Sequence, residues 1–465
     1  MAHENLTIRN LSSIEIIITR VSRFPQPKAP GPQPVTIKNI TNIGNLTHNF
    51  TSFVAKTLPI PPPAEPSSKA IAENARAFSE EDVSIFLPAF EIMQTEIKIN
   101  KDEVVRLAFM VGEAKFRADL NSHTPAVHCL SPGTEHNFNA VFHRNHSHLA
   151  LLSNAALGGW MERLKDETPL SLISIPGTHN TPTCYTALPS VRCQAVGPKQ
   201  QLENGIRFFD VRCQVDGPNT LTLVHGAFPI SLTRFRNLNE VLKDAYSFLD
   251  SNPHECIIIS LKREGRGDAD DAKFAKVLKE GYIDKEASRW HLEDNIPTLG
   301  QVRGKAILFR RFTLPSDMQQ FGINEFGINA EHWEYNTPDS HTPSRTCRVQ
   351  DFCEVLEPAT INKKVTYVKE HLERSAKPLE PDTTKQLFVN FLSASNFWKV
   401  GCWPEKIAEK VNVETKRHLA IDHVAGKEHG DGSTGVVVCD YVGEGGDWEL
   451  VRLIVTMNGW IRKTR

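Results

Sequence analysis

Two histidines, four arginines, a lysine and several carboxylates recur at comparable places in this 465-residue chain. The run SLISI is followed by PGTHN, which carries His179 and Asn180, and IRFFDV holds Asp210 and leads into Arg212. LTLV is followed by His225, ECIIISL by Lys262 to Glu264, KAILF by Arg310 and Arg311, RV by Gln350 and Asp351, and GVVVC by Asp440. Taken singly, each group has an ordinary reading as a hydrogen-bonded loop imidazole, a solvated cation, or a helix cap. Gathered around one cavity, they suit cleavage of a phosphodiester. That reaction needs a base to activate a hydroxyl, an acid for the leaving oxygen, and fixed positive charge for the phosphoryl oxygens. Arg212 fits the last part, because its planar fork stays protonated and contacts two oxygens, whereas a metal there would need carboxylate or neutral oxygen ligands.

Such a gathering requires a scaffold that aligns the ends of many strands. Eight short apolar runs are candidates: residues 171–175, 206–211, 221–224, 255–261, 305–309, 348–351, 386–392 and 435–440. Amphipathic stretches at 238–252 and 362–374 carry apolar residues at helical spacing. Nearly continuous apolar strands linked through helices imply a parallel sheet buried on both faces, so the expected fold class is α/β, a TIM-type (β/α) barrel over residues 151–465. The edge that receives the polar groups is the one where such barrels place their chemistry.

Residues 1–150 differ in kind. Ten of the 29 prolines lie between Pro25 and Pro66, and PIPPPAEPSS reads as loop or polyproline. NLTIRNLSSIEIIITRV, PVTIKNITN, EIKINKDEVVRLAFMVG and NFNAVFHRNHSHLALL read as strands, which predicts a smaller antiparallel β domain of sandwich type.

Composition narrows the function classes. With 53 Lys+Arg against 55 Asp+Glu the net charge is −2, too even a balance for a field that recruits nucleic acid. No run approaches a membrane span, and MAHENLTIRN lacks the basic and apolar regions of a secretory signal. The expected location is therefore the cytoplasm, with a non-classical export route left open, and the six sequons at Asn5, Asn10, Asn39, Asn45, Asn49 and Asn145 matter only in a secreted chain. Nine cysteines without a CxxC pair or zinc-type His spacing predict mainly buried thiols and no metal or cofactor; Cys193 with Cys213 can be read as a disulfide or as two packed thiols.

The stretches LISIPGTHNTPT, QLENGIRFFDVRCQ, LVHG and LDSNPHECIIISLKREG resemble the X region of phosphatidylinositol-specific phospholipases C, in particular the metal-independent bacterial type. The likeness continues through LGQVRGKAILFRRF, CRVQDF, LFVNFLSASNFW and VVVCDYVGEGGDW, and so spans most of residues 155–455. The resemblance implies a barrel that cleaves phosphatidylinositol or a related inositol phospholipid to diacylglycerol and a 1,2-cyclic inositol phosphate. It further implies His179 as general base oriented by Asp440, His225 as general acid, Arg212 on the phosphate, and Asp210 in the same polar network. Lys262, Arg311 and Asp351 match positions that contact inositol hydroxyls.

Three departures stand out. Asn180 replaces the Asp that supports the general acid in the bacterial family; calcium-dependent relatives carry Asn there, but this chain has Arg212 and Lys262 at positions of their carboxylate ligands, so calcium is not expected. Cys353 stands where a Tyr stacks on the inositol ring. The segment 181–201 lacks the rim Trp of the bacterial enzymes, leaving Tyr185, Leu188 and Val191 as candidates for peripheral membrane contact. Asn180 and Cys353 keep an alternative open, a catalytically weakened inositol-phosphate or lipid-binding protein, and a soluble or glycosylated diester is a third candidate for what the pocket takes. The N-terminal domain reads either as a cover on the barrel or as a lipid-contact module.

Overall fold

The computed structural model describes residues 5–26, 71, 75–153, 156–188, 190–314, 326–376, 386–424 and 430–459. The proline-rich tract, the strand expected in PVTIKNITN and the sequons at Asn39, Asn45 and Asn49 lie outside the described residues.

In the N-terminal region, two sheets close on one apolar cluster. The first runs in the order Ile92–Lys98, Asn5–Leu11, His148–Ser153, Phe138–His143. The second runs Ser79–Leu87, Ile16–Pro25, Glu103–Val111, Ala114–Asp119, Val127–Cys129. Alternation sorts the side chains: Phe138, Ala140, Phe142, Leu149 and Leu151 fill the space between the sheets, while Val141, Ala150 and Leu152 point the other way and join the core of the following region. The expected all-antiparallel arrangement is corrected at one ladder, since Asn5–Leu11 pairs parallel with His148–Ser153. These two strands are separated by most of the domain, so no hairpin dictates their relative direction.

Seven of the eight predicted runs form a curled parallel sheet, in the order Ala306–Arg311, Ile257–Arg263, Phe208–Val215, Ile175–Thr178, Val436–Cys439, Leu387–Phe391, Cys347–Asp351. SLISI is strand only from Ile175, its earlier residues making a short helical turn. The eighth run is a correction. Leu221–His225 pairs antiparallel with Phe208–Val215, because the connecting turn DGPNT is far too short for a parallel crossover. Among the described residues no ladder joins Ala306–Arg311 to Cys347–Asp351, so the barrel is open along one seam.

Helices cover the outer face. Leu238–Ser251 buries Leu238, Val241, Leu242, Ala245, Phe248 and Leu249 at helical spacing, and Glu240 accepts from the Asn237 backbone N–H at its start (3.3 Å). Ile361–Ala376 and Pro404–Ile421 follow strands and run back toward the strands' N-terminal ends. The N-terminal sandwich docks there through Arg9, a fully buried guanidinium that donates to the carbonyls of Leu419 (2.8 Å), Ala420 (3.1 Å) and His423 (2.5 Å). Leu419 and Ala420 are among the carbonyls that the helix Pro404–Ile421 leaves without intrahelical partners, and His423 lies just beyond its end. No described helix is long and apolar enough to cross a membrane.

Candidate active site

Ladder register decides which polar groups meet. Thr178 pairs with Cys439, so the next residues, His179 and Asp440, leave their strands side by side, and His179 Nδ1 lies 2.9 Å from Asp440 Oδ1. On its other flank the same strand lies close against Phe208–Val215, where a Cβ at Gly177 would stand 2.8 Å from the Cβ of Phe208. Asn180 turns the chain in the left-handed region (φ 42°), a conformation Asn tolerates. Its backbone N–H donates to Asp210 Oδ2 (3.1 Å) and its amide lies 3.2 Å from His179 Nε2. With an acceptor at Nδ1 and an amide donor at Nε2, His179 is the neutral Nδ1–H tautomer. Burial holds its imidazole well below the ordinary value, and Arg212 and His225 add to the effect.

The His225 ring stands 5.9 Å from that of His179, nearly perpendicular to it. Its Nδ1 donates to the Val191 carbonyl (2.9 Å), which leaves Nε2 for the cavity that the ring lines. Asn180 thus contacts His179 rather than His225, and the support of His225 is a backbone carbonyl, not a carboxylate. Burial and then Arg212 lower the His225 value as well.

A row of cations crosses three neighbouring strands at one level: Arg212 is in register with Lys262, and Lys262 with Arg311. Such a row requires interleaved anions. Asp210 accepts from Arg212 (3.1 Å) on Oδ2 and from Arg311 (3.1 Å) on Oδ1. Glu264 accepts from Arg212 (3.1 Å) and Lys262 (2.6 Å), and its other oxygen takes the Gly226 N–H (2.9 Å). Burial alone would raise both carboxyls, but the Arg212 guanidinium with Arg311 holds Asp210 below its usual range, and Arg212 with Lys262 brings Glu264 to about 2. The two carboxylates a hard cation would want are therefore already paired with fixed positive charge. His179, Cys193 and His225 also offer three donor atoms within 4.8 Å of one another. Burial pushes the Cys193 thiol up, keeping it protonated, and Arg212 raises the cost of a cation at this place.

His179, Arg212, His225, Lys262, Glu264 and Arg311 line one cavity of about 670 Å³, together with Asp351 and Cys353. All ten predicted site residues therefore line it or bond directly to its lining, Cys353 on the wall without a ring to offer. Sequence reasoning missed Trp333, whose indole N–H donates to Asp351 (3.0 Å) and whose ring lies 4.1 Å from the Arg311 guanidinium. It also missed Tyr335, bonded to Glu354 (2.6 Å), and the role of Glu264. HWEYN, an aromatic-rich stretch just before the CRVQD strand, was the available signal.

The apolar rim is a further correction. Within 181–201, Val191 is buried and Tyr185 lies beneath Arg236 (3.9 Å), so only Leu188 of the three is exposed. The exposed apolar groups at the cavity mouth are Trp398 (89% exposed), Tyr335 (72%), Leu356 (71%) and Phe397, the last stacked on Phe228 at 5.8 Å. Among the described residues, none before Ser153 lines this cavity. All nine cysteines are free thiols, Cys193 and Cys213 included.

Residues 167–312 match the family described as phosphatidylinositol-specific phospholipase C, X domain. The 1-phosphatidylinositol phosphodiesterase of Staphylococcus aureus (strain Newman) is 27% identical over 293 residues, 61% of this chain and 88% of that protein. The protein of the same name from Listeria monocytogenes serovar 1/2a is 34% identical over 198 residues, 39% of this chain and 59% of its own length. A solved structure of a mutant phosphatidylinositol-specific phospholipase C from Staphylococcus aureus superimposes with a TM-score of 0.52 at 25% identity, covering 65% of this chain and 98% of that one.

Proposed function

We propose that this chain, which belongs through residues 167–312 to the phosphatidylinositol-specific phospholipase C X-domain family, cleaves phosphatidylinositol or a related inositol phospholipid to diacylglycerol and a 1,2-cyclic inositol phosphate without a metal. The observation that carries this reading is the convergence of His179, His225 and Arg212 on one cavity.

His179 Nε2 takes the proton of the inositol 2-hydroxyl, which displaces the Asn180 amide from that nitrogen as its oxygen attacks phosphorus. Asp440 fixes the tautomer through Nδ1; burial raises its carboxyl well above the usual carboxylate range, and the charge that the imidazole gains on taking the proton favours the ionised carboxylate beside it. His225 gives the Nε2 proton to the departing diacylglycerol oxygen. Arg212, held permanently charged between Asp210 and Glu264, offers the phosphoryl oxygens a fixed cation. Lys262, Arg311 and Asp351 face the inositol hydroxyls, and Trp333 and Tyr335 supply the apolar wall that Cys353 lacks. The exposed rings of Phe397 and Trp398 suit peripheral contact with the lipid surface from which the substrate is drawn. The nine unpaired thiols support a reducing, cytoplasmic setting.

The test is to incubate the purified chain with phosphatidylinositol vesicles and a calcium chelator and to follow phosphorus NMR. A cyclic phosphodiester signal is expected; strict dependence on added calcium overturns the metal-free mechanism. A second reading, a pocket that binds but turns over weakly, draws on the backbone-only support of His225. If Asn180→Asp binds inositol phosphate yet gives no cyclic product, that reading replaces the first.

A further inference from the structure

A second pair of histidines lies at the opposite end of the barrel. Glu373 sits near the C-terminal end of Ile361–Ala376, His418 in the last turn of Pro404–Ile421, and His423 just beyond it. Glu373 Oε1 stands 2.8 Å from His418 Nε2 and 2.9 Å from His423 Nδ1, and the three donor atoms all fall within 4.8 Å of one another. The far nitrogens also meet acceptors: His418 Nδ1 lies 3.4 Å from Asp422 Oδ2, and His423 Nε2 3.0 Å from the Gly432 carbonyl.

Hydrogen-bond accounting makes this arrangement unusual. A neutral imidazole has one N–H to donate, yet both rings face acceptors at both nitrogens. Donating at every contact would require an extra proton on each ring, in a cluster where His423 is fully buried and the Arg9 guanidinium holds the His423 carbonyl. One divalent ion supplies the same two positive charges while using the two inner lone pairs. The outer contacts are then of the kind that orient metal-bound histidines, an N–H to a carboxylate on one ring and an N–H to a backbone carbonyl on the other.

We propose that Glu373, His418 and His423 bind a zinc-class divalent ion, with Asp422 and the Gly432 carbonyl orienting the two rings. Two imidazoles and one carboxylate select zinc or a neighbouring transition metal over calcium or magnesium. Tetrahedral ligands at about 2.0–2.1 Å from zinc stand roughly 3.3 Å apart, so the inner contacts need to open by about half an ångström. Glu373 and Asp422 are partly exposed, which gives the ion a path from solvent. Bound there, it would tie the helix Ile361–Ala376 to the end of Pro404–Ile421, where Arg9 anchors the N-terminal sandwich. Sequence spacing does not announce the site, since His418 and His423 are five apart and Glu373 lies on another helix.

The full-length protein, dialysed against chelator, is titrated with zinc chloride by calorimetry and with cobalt(II) by absorption. One equivalent is expected, with a cobalt spectrum free of a thiolate charge-transfer band and binding retained in His179→Ala. Glu373→Gln is expected to weaken zinc by about 100-fold or more, and Asp422→Asn by about 10- to 100-fold. Absence of zinc binding, a thiolate band marking Cys193, loss in His179→Ala, or unchanged affinity in Glu373→Gln each overturns the proposal. Should Glu373→Gln fail to fold, unchanged affinity in Asp422→Asn, altered at a partly exposed residue, does the same.

Discussion

At the barrel mouth, His225 holds one ring nitrogen against a protein acceptor and presents the other to the cavity, and His179 meets an acceptor only at Nδ1, its Nε2 facing the Asn180 amide that a substrate hydroxyl displaces; at the far end, His418 and His423 meet acceptors with both nitrogens. The same side chain, nearly buried at both places, is left with capacity in one and fully engaged in the other. A proton can move at a nitrogen that borders a substrate-sized space, whereas a ring with acceptors on both sides serves to fix its neighbours in position. Charge follows the same division. The mouth keeps a row of three cations stabilised by Asp210 and Glu264, while the far end collects Glu373 and Asp422 around the rings beside the Arg9 anchor.

The contrast is broken most severely by His179→Ala. Loss of the base should lower turnover on phosphatidylinositol by about 10²- to 10⁴-fold while the urea midpoint of unfolding moves little. At the other end, Arg9→Ala should do the reverse. It leaves the Leu419 and His423 carbonyls buried without their side-chain donor and the Ala420 carbonyl with His148 alone, which costs about 2–3 kcal/mol of stability in urea titration, with little change in kcat for protein that remains folded. At the rim, Trp398→Ala should weaken vesicle binding by about tenfold, as read by co-sedimentation, with a smaller effect on a soluble diester. The finest test is the pH profile. His179 must be neutral and His225 protonated, so the rate rises with pH through the first value and falls through the second; both lie below the ordinary 6.5, His179 the further. The optimum of kcat/KM is therefore expected on the acid side of 6.5, and an alkaline optimum would contradict the assignment of base and acid.

Much of the mouth was legible in the chain because a parallel strand buried on both faces must be apolar until it reaches its end, and the first polar residue after each run marks the edge. Asp210 and Arg212 could be placed on one face by their spacing of two. Leu221–His225 was misread as a crossover strand although the turn DGPNT before it was too short for one. Glu264 was visible as a charge after a run, but its pairing with Arg212 and Lys262 depends on register between strands. Trp333 and Tyr335 escaped because they sit in an irregular stretch where no period applies.

Residue types, their order and the lengths of the apolar runs follow from local chain stereochemistry and the need to bury carbon, and these determined an α/β scaffold with ionisable groups along one edge. Which of those groups share a proton, which cations stand abreast, and where the sheet stays open were decided by pairing between segments far apart in the chain. Glu373 and His423 illustrate the limit: they are 2.9 Å apart in space and on separate segments of the chain, and only the packing of one helix against another creates their contact.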